Sequence, residues 1–424
     1  MSRQSTRIRI AIVTLFVFSI AIAAQQFFSM RFAYAESTMT EQTETPSELV
    51  DAAAMPIVAC AGTPGFTSPA VPEVGVGAQP LAVAVGDFNG DLKQDFAATN
   101  TGGNVSIRLG DGAGGFTSPA VPEVTISGVP QAIATGDFNG DSNLDFVTAN
   151  ASAGPDNVSI RLGNGAGGFT AVPNVPVGSS GTSTPFSIAV GDFNGDLKLD
   201  FATANLSSNN VSIRLGDGAG GFTSPAVPEI TVGTAPSSVA VGNFNGDSNL
   251  DFVATNRTSG TVSIRLGNGT GGFTSPAIPE ITVGSFTSFV AVGEFNGDSN
   301  PDLAVVNGSG DTISIRLGSG AGAFTSPAVP EISVDSNPRS VAIADFNNDG
   351  KQDFVTANNG GSTVSFRLGN GAGGFTSPPS PEVAVGTDPR WIAVGDFNGD
   401  SKADFVTANN SGSNVSVRLG TCTM

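Results

Sequence analysis

Histidine is absent from all 424 residues. Without it the chain builds no Ser-His-Asp or Cys-His catalytic arrangement and no histidine-ligated zinc centre. Tyrosine occurs once, at Tyr34, and tryptophan once, at Trp391. There are two cysteines, Cys60 and Cys422, too few for a small disulfide scaffold. Bases are scarce: 18 Lys and Arg stand against 37 Asp and Glu, a net charge of −19. That balance argues against nucleic acid and anionic membrane surfaces as partners. The longest apolar run, Ile10 to Ala24, is shorter than the ~20 residues a membrane helix needs.

The same run fits a leader instead. Arg3, Arg7 and Arg9 precede it, and Ala33-Tyr34-Ala35 offers a small-x-small cleavage site. This is the order of a secretory signal peptide over residues 1–35, with an uncleaved anchor as the alternative. Removing those residues takes away four Arg and no acid, so the charge moves from −19 to −23. Residues 36–61 are polar and read as a flexible lead-in, and 62–424 as one repeat domain. Cys60 just before that domain and Cys422 near its end are expected to pair in an exported chain.

What is present is repetition. An acidic loop, Asp87-Phe-Asn89-Gly-Asp91-Leu-Lys93-Gln-Asp95, recurs seven times, starting 50, 55, 51, 51, 51 and 51 residues apart. Oxygen side chains at positions 1, 3, 5 and 9, with a backbone carbonyl at position 7, suit a hard cation, and Ca²⁺ is the expected cofactor, up to one per loop. Loop one would supply Asp87, Asn89, Asp91, the carbonyl of Lys93, and Asp95. Loop two would supply Asp137, Asn139, Asp141, Asn143 and Asp145, and loop three Asp192, Asn194, Asp196, Lys198 and Asp200. Loop four opens with Asn243 and continues through Asn245, Asp247, Asn249 and Asp251. Loop five opens with Glu294 and continues through Asn296, Asp298, Asn300 and Asp302. Loop six offers Asp345, Asn347, Asp349, Lys351 and Asp353, and loop seven Asp396, Asn398, Asp400, Lys402 and Asp404. Loops four and five are expected to bind more weakly, one lacking a charge and the other a methylene too long. The competing reading is an Asx-rich turn held by side-chain to backbone hydrogen bonds.

Between loops lie short alternating segments bounded by Gly, Asn and Pro, four per unit, with no helical period. The fold class expected is all-β: a seven-bladed β-propeller with four-stranded blades. Gly62 to Val74 is an outer strand without its partners, and Val415 to Gly420 a third strand without its outer neighbour. The N-terminal strand therefore closes the ring in the last blade. Alignment puts Cys60 and Cys422 in the same hairpin turn of that blade, one from each end.

The Asp-Phe-Asn-Gly-Asp-x-x-x-Asp loop, with the Val-Ser-x-Arg-Leu-Gly strand and Gly-Gly-Phe turn after it, resembles the FG-GAP/VCBS repeat family, whose relatives include the integrin α-subunit propellers. The resemblance spans about residues 62–420 and implies a calcium-stabilised seven-bladed propeller acting outside the cytoplasm. The strand-three arginines, Arg108 to Arg418, read as a solvated face that blocks edge pairing. The Phe of each loop and of each Gly-Gly-Phe turn read as wedges between blades.

Strand direction puts the acidic loops and Gly-rich turns on one face, nearly identical in every copy. The links from strand two to three, and from strand four to the next blade, share the other face and differ. Diversified loops mark recognition. At the mouth of the innermost strands there stand Phe186, Phe289, Arg339, Arg390 and Trp391, a candidate ligand site or a channel plug. The function expected is a secreted or cell-surface binding and adhesion module for an extracellular protein or glycan, monomeric and not an enzyme. A structural matrix or envelope role is the alternative, and a polysaccharide-degrading enzyme is disfavoured because His is absent and the loops take 20 of the 37 acids.

Overall fold

The computed structural model describes residues 63–151, 156–178 and 183–423. The leader at 1–35, the lead-in at 36–61, Cys60 and the side chain of Cys422 lie outside the described residues, and with them the expected disulfide. All described secondary structure is β. Seven antiparallel sheets form seven blades; in six of them the strands run outward in sequence order, and in the seventh the outer position is taken by the N-terminal segment. The innermost strands are Pro80–Gly86, Val129–Gly136, Pro185–Gly191, Pro236–Gly242, Thr287–Gly293, Pro338–Ala344 and Pro389–Gly395. Each packs on the next, and the last packs on the first, so the ring is closed.

Closure uses the N-terminal segment. Thr63–Thr67 and Glu73–Gly75 both pair with Asn414–Thr423, the third strand of blade seven. Phe66 then does in blade seven what Phe169 does in blade two. Phe169 lies 4.8 Å from Phe146 of its own blade and 5.8 Å from Phe88 of the preceding one. Phe66 lies 4.7 Å from Phe405 and 5.7 Å from Phe346 in the same relation. The expected phenylalanine wedges are therefore present, each burying apolar area worth about 1.5–3 kcal/mol. The blade-to-blade contact continues in the backbone: the Gly-rich turn of one blade donates an N–H to the carbonyl of the loop Phe before it, as from Gly167 to Phe88 and from Gly220 to Phe138, over 2.7–3.0 Å across the six described cases.

The outer strand departs from the sequence reading in detail. It is two short pieces, such as Phe116–Thr117 and Glu123–Thr125, both on strand three. Pro119 and Pro122 lie between them and lack the N–H that a continuous ladder needs.

The strand-three arginines correct the expectation of a solvated face. All seven are only 6–9% exposed. Each donates to a carbonyl on the outer strand of the preceding blade, Arg214 to Pro176 and Arg367 to Ser333 among them, at 2.6–3.1 Å. In six blades the guanidinium also pairs with an outer-strand glutamate at 2.9–3.5 Å: Glu73, Glu123, Glu229, Glu280, Glu331 and Glu382. Alternation did place Arg opposite the apolar residues. In a propeller both faces of a blade are covered by neighbours, so that opposite face is interior too.

Arg214→Ala is expected to cost about 3 kcal/mol or more in a urea unfolding measurement, because it strands Glu229 and the Pro176 carbonyl. Lys198→Ala, which removes only an exposed pair with Asp196, is expected to cost less than about 1 kcal/mol. Equal losses would show that the inter-blade arginines carry no special share of stability.

Candidate functional site

The acidic loop joins strands one and two, and its first residue organises it. Asp87 Oδ1 accepts the N–H groups of Asn89, Gly90 and Asp91 at 3.2, 2.7 and 3.2 Å, and Oδ2 accepts that of Leu92 at 2.7 Å. Asn89 Oδ1 takes Asp91 N–H and Asp91 Oδ1 takes Lys93 N–H. These bonds hold a tight coil in which Gly90 and Leu92 both have positive φ, at 75° and 64°. Leu92 pays a steric penalty there that Gly would not, and it is 91% exposed.

The position-nine aspartates are of a different kind. Asp95, Asp145, Asp200, Asp251, Asp302, Asp353 and Asp404 are fully buried. In each, one oxygen accepts the N–H of the loop Phe at position two, and the other accepts the N–H of the Gly ending strand three, at 2.7–3.0 Å. Burial is the main cause that pushes these carboxyls up from 3.8 to about 6 in Asp95 and about 7 in Asp200, with the loop's other carboxylates adding to it and the two backbone bonds opposing it. Sequence spacing marked these residues as candidate ligands; their role as brackets between two backbone segments was not visible in it.

The donor set suits a hard cation. Every side chain offered presents an oxygen, Asp87 Oδ2 and both oxygens of Asp95 accept one N–H each and keep a second lone pair, and the carboxylates at positions 1 and 5 already disfavour the charge at position 9. Residues at positions 1, 3, 5 and 9, with the position-seven carbonyl, are those that would hold the ion. Among the described residues no three acidic side chains stand together at metal-holding separation, in keeping with the backbone bonds that engage position 9. The loops also differ as their first residues do. In loops one, two, three and seven the first Asp receives the N–H of position 6, and in loop six it receives that of Gly350. In loop four Asn243 receives only Gly246 N–H, and in loop five Glu294 receives those of Asn296, Gly297 and Asp298. Neither takes the position-six N–H, so these two loops are held less fully.

Lys93, Lys198, Lys351 and Lys402 at position 7 pair their ammonium groups with the position-five carboxylate at 2.8–3.5 Å. In loops two, four and five, with Asn143, Asn249 and Asn300 there, the position-three Asn amide reaches that carboxylate instead.

The opposite face gathers the variable links. Each innermost strand begins with a bulge: Leu81, Phe186, Ser237, Ser288, Arg339 and Arg390 are skipped in the register, as is Gln131. These residues ring the channel mouth. Phe186 is half-buried, Arg339 half-buried and Arg390 exposed. Phe289 is buried and meets Trp391 edge-on with ring centres 4.8 Å apart. Trp391 packs against apolar clusters on several sides of the ring and so fills the bore beneath the mouth. The five residues named from sequence thus share one end of the channel, Phe289 and Trp391 as its floor. Sequence reasoning missed Arg257 and Phe286, which stand beside them with the Arg257 guanidinium carbon 3.8 Å from the Phe286 ring centre. The signal for them was departure from the repeat: Arg257 stands where other blades carry Thr101, Leu206, Gly308, Asn359 or Asn410.

A groove of about 460 Å³ lies elsewhere, between the outer edges of blades one and two, lined by Glu123, Thr125, Arg161, Phe169 and Ala171 among others. The outer strand of blade two, which forms one wall of it, lacks the Ser-Pro pair of the other copies. That strand also carries Asn174 in place of the repeat's Glu, so Arg161 keeps its inter-blade carbonyl, Thr125, without a carboxylate.

Comparison with known proteins agrees with this architecture. Among curated protein sequences none matches the chain. Several solved structures share the fold at low identity. A BBS1N chain in complex with ARL6DN aligns with TM-score 0.57 and 13% identity, over 85% of this chain and 97% of that one. Virginiamycin B lyase from Staphylococcus aureus aligns with TM-score 0.54 and 13% identity, over 84% and 99%. A protein from Lactobacillus plantarum aligns with TM-score 0.52 and 12% identity, over 80% and 91%. Residues 87–148, 149–203, 195–254, 243–305, 294–356 and 345–407 each match the FG-GAP-like repeat, so the chain belongs to the FG-GAP-like repeat family.

Proposed function

We propose that this propeller is a binding module that acts outside the cytoplasm, its uniform face a calcium-braced scaffold and its variable face the recognition surface for a protein or glycan. The observation that carries the reading is the division between the faces. Seven near-identical hydrogen-bonded loops lie on one side, and the bulged, non-repeating mouth with Arg339, Arg390 and Trp391 lies on the other. A structural neighbour, BBS1N, is seen in complex with a protein partner, which supports protein binding by this fold in general. The lyase neighbour has also been crystallised as a catalytically inactive histidine-to-alanine form with quinupristin, and this chain has no histidine, which favours binding over that chemistry. Export rests on the leader-like residues 1–35, and in that setting Cys60 and Cys422 would join the two ends of the chain.

Calcium gives a prediction with a definite sign. The position-nine carboxyls are raised in the folded protein to about 6–7 from 3.8, so the metal-free fold gains stability as pH falls through that range and loses it as pH rises. In chelator the melting temperature is expected to be higher at pH 5.5 than at pH 8. Saturating Ca²⁺ should raise it most at pH 8, and calorimetry should resolve weaker binding at loops four and five. No response to millimolar Ca²⁺ at either pH would leave the loops as hydrogen-bonded turns.

The recognition face is tested on a glycan and extracellular-matrix array with the full chain. A specific hit lost in Arg390→Ala and kept in Lys198→Ala, which lies on the uniform face, is the expected outcome. A hit lost equally in both, or no hit from folded protein, would favour the structural role.

A further inference from the structure

We propose that the channel mouth is an oxyanion site: Arg257, Arg339 and Arg390 together hold one compact carboxylate, sulfate or phosphate group of a ligand whose remainder lies over Phe286. This deepens the binding-module reading and rests on it for location, naming the chemistry that the mouth would select.

Bases are rationed in this chain. Of the 14 Lys and Arg after residue 35, seven are the strand-three arginines and four are the loop lysines. The three left over, Arg257, Arg339 and Arg390, come from blades four, six and seven and meet at one place. Arg339 and Arg390 hold the same bulge position on innermost strands that pack side by side. Arg257 leaves strand two of blade four and covers Phe286 of blade five. Burial, then the charges of Arg257 and Arg390, lower the pKa of Arg339, with Asp388 opposing.

Two features show that the cluster is not satisfied from within. The Nε groups of Arg257 and Arg339 are both buried with no hydrogen-bond partner. The counter-charge beside Arg339 and Arg390 is Asp388, whose Oδ1 lies 3.7 Å from Arg390 Nε while Oδ2 accepts Ser411 Oγ–H at 3.0 Å. Guanidinium groups gathered in a half-dry recess repel one another, and their planar donor forks match a multi-oxygen anion. The cation–π contact accounts for Arg257 as a support for Phe286, but it leaves both Nε groups without partners.

Phe286 adds a second mark. It adopts φ 58°, a conformation unfavourable for a bulky aromatic, where other blades carry Gln79, Thr184, Ala235, Asn337 or Asp388. It is also 36% exposed. An apolar ring held out beside three cations fits a ligand with an apolar or ring-shaped body next to its charge. A long polyanion fits poorly, because Asp156, Asp311, Asp335 and Asp388 lie in the links of the same face.

The test is calorimetric titration of the full chain with sodium sulfate, phosphate and glucuronate, each at an ionic strength matched with chloride. One saturable site for at least one of these anions is expected. Arg257→Ala and Arg339→Ala should each weaken it by about tenfold or more, the loss of a charge-assisted bond. Asp388→Asn removes the competing carboxylate, keeps a residue suited to positive φ, and should tighten binding. Val227→Ala, at an exposed site on the outer edge of blade three, should change nothing. Absence of binding above the chloride control in folded protein overturns the proposal. So does an Asp388→Asn variant that binds no better, or heparin binding that strengthens with chain length. An array hit without oxyanion binding would sink this site and leave the module reading standing. Oxyanion binding without an array hit would do the reverse.

Discussion

In each blade one buried carboxylate holds together two chain segments that are far apart in sequence. Asp200 receives the N–H of Phe193 at the start of the acidic loop and that of Gly216 at the end of strand three. Much else follows from that bracket. It fixes the loop Phe as a wedge, and the Phe carbonyl then accepts the N–H of the next blade's Gly-rich turn, as Phe193 does from Gly271. The Gly at the end of strand three is required as well, since a Cβ on Gly216 would stand 2.2 Å from the Leu199 carbonyl oxygen. One side chain thus sets the loop in all seven blades, and with it the turn and the seam between blades at the six described junctions. The bracket carries an electrostatic cost, because a desolvated carboxylate beside other carboxylates resists ionisation. A bound cation would offset that cost, which links the proposed calcium to the fold itself.

The second seam is the arginine on strand three. It crosses from its own blade to an outer-strand carbonyl of the one before, and a glutamate from its own outer strand meets it in six blades. Blade two lacks that glutamate and part of its outer strand, and a groove opens there beside Arg161. With the phenylalanine wedges, these contacts make each blade depend on both neighbours, and the N-terminal strand supplies the contacts that blade seven would otherwise lack.

Most of the architecture was legible in the sequence because it is local and repeated. The acidic loop, the Gly-Gly-Phe turn and the complementary end fragments are short patterns, and repetition turns each into evidence for the ring. Burial of Arg108 and its equivalents was not legible. Strand alternation reports which residues share a face, and only the packing of blades tells whether a second face meets solvent or a neighbour. The position-nine aspartates were legible as acids at ligand spacing, while their bonds to Phe and Gly N–H groups depend on strand three folding back over the loop. At the mouth, Arg339 and Trp391 were found because they sit at the start of innermost strands. Arg257 and Phe286 were not, since they join across different blades and only the closed ring brings them together.

The most direct test of this account is Asp200→Asn, nearly isosteric, followed by urea unfolding in saturating Ca²⁺ and in chelator. Asn keeps one acceptor, so one buried N–H is left facing an amide donor. The account predicts a loss of about 2–3 kcal/mol under both conditions. A loss seen only in Ca²⁺ would make Asp200 a metal ligand alone, and no loss in either would contradict the central place given to the bracket.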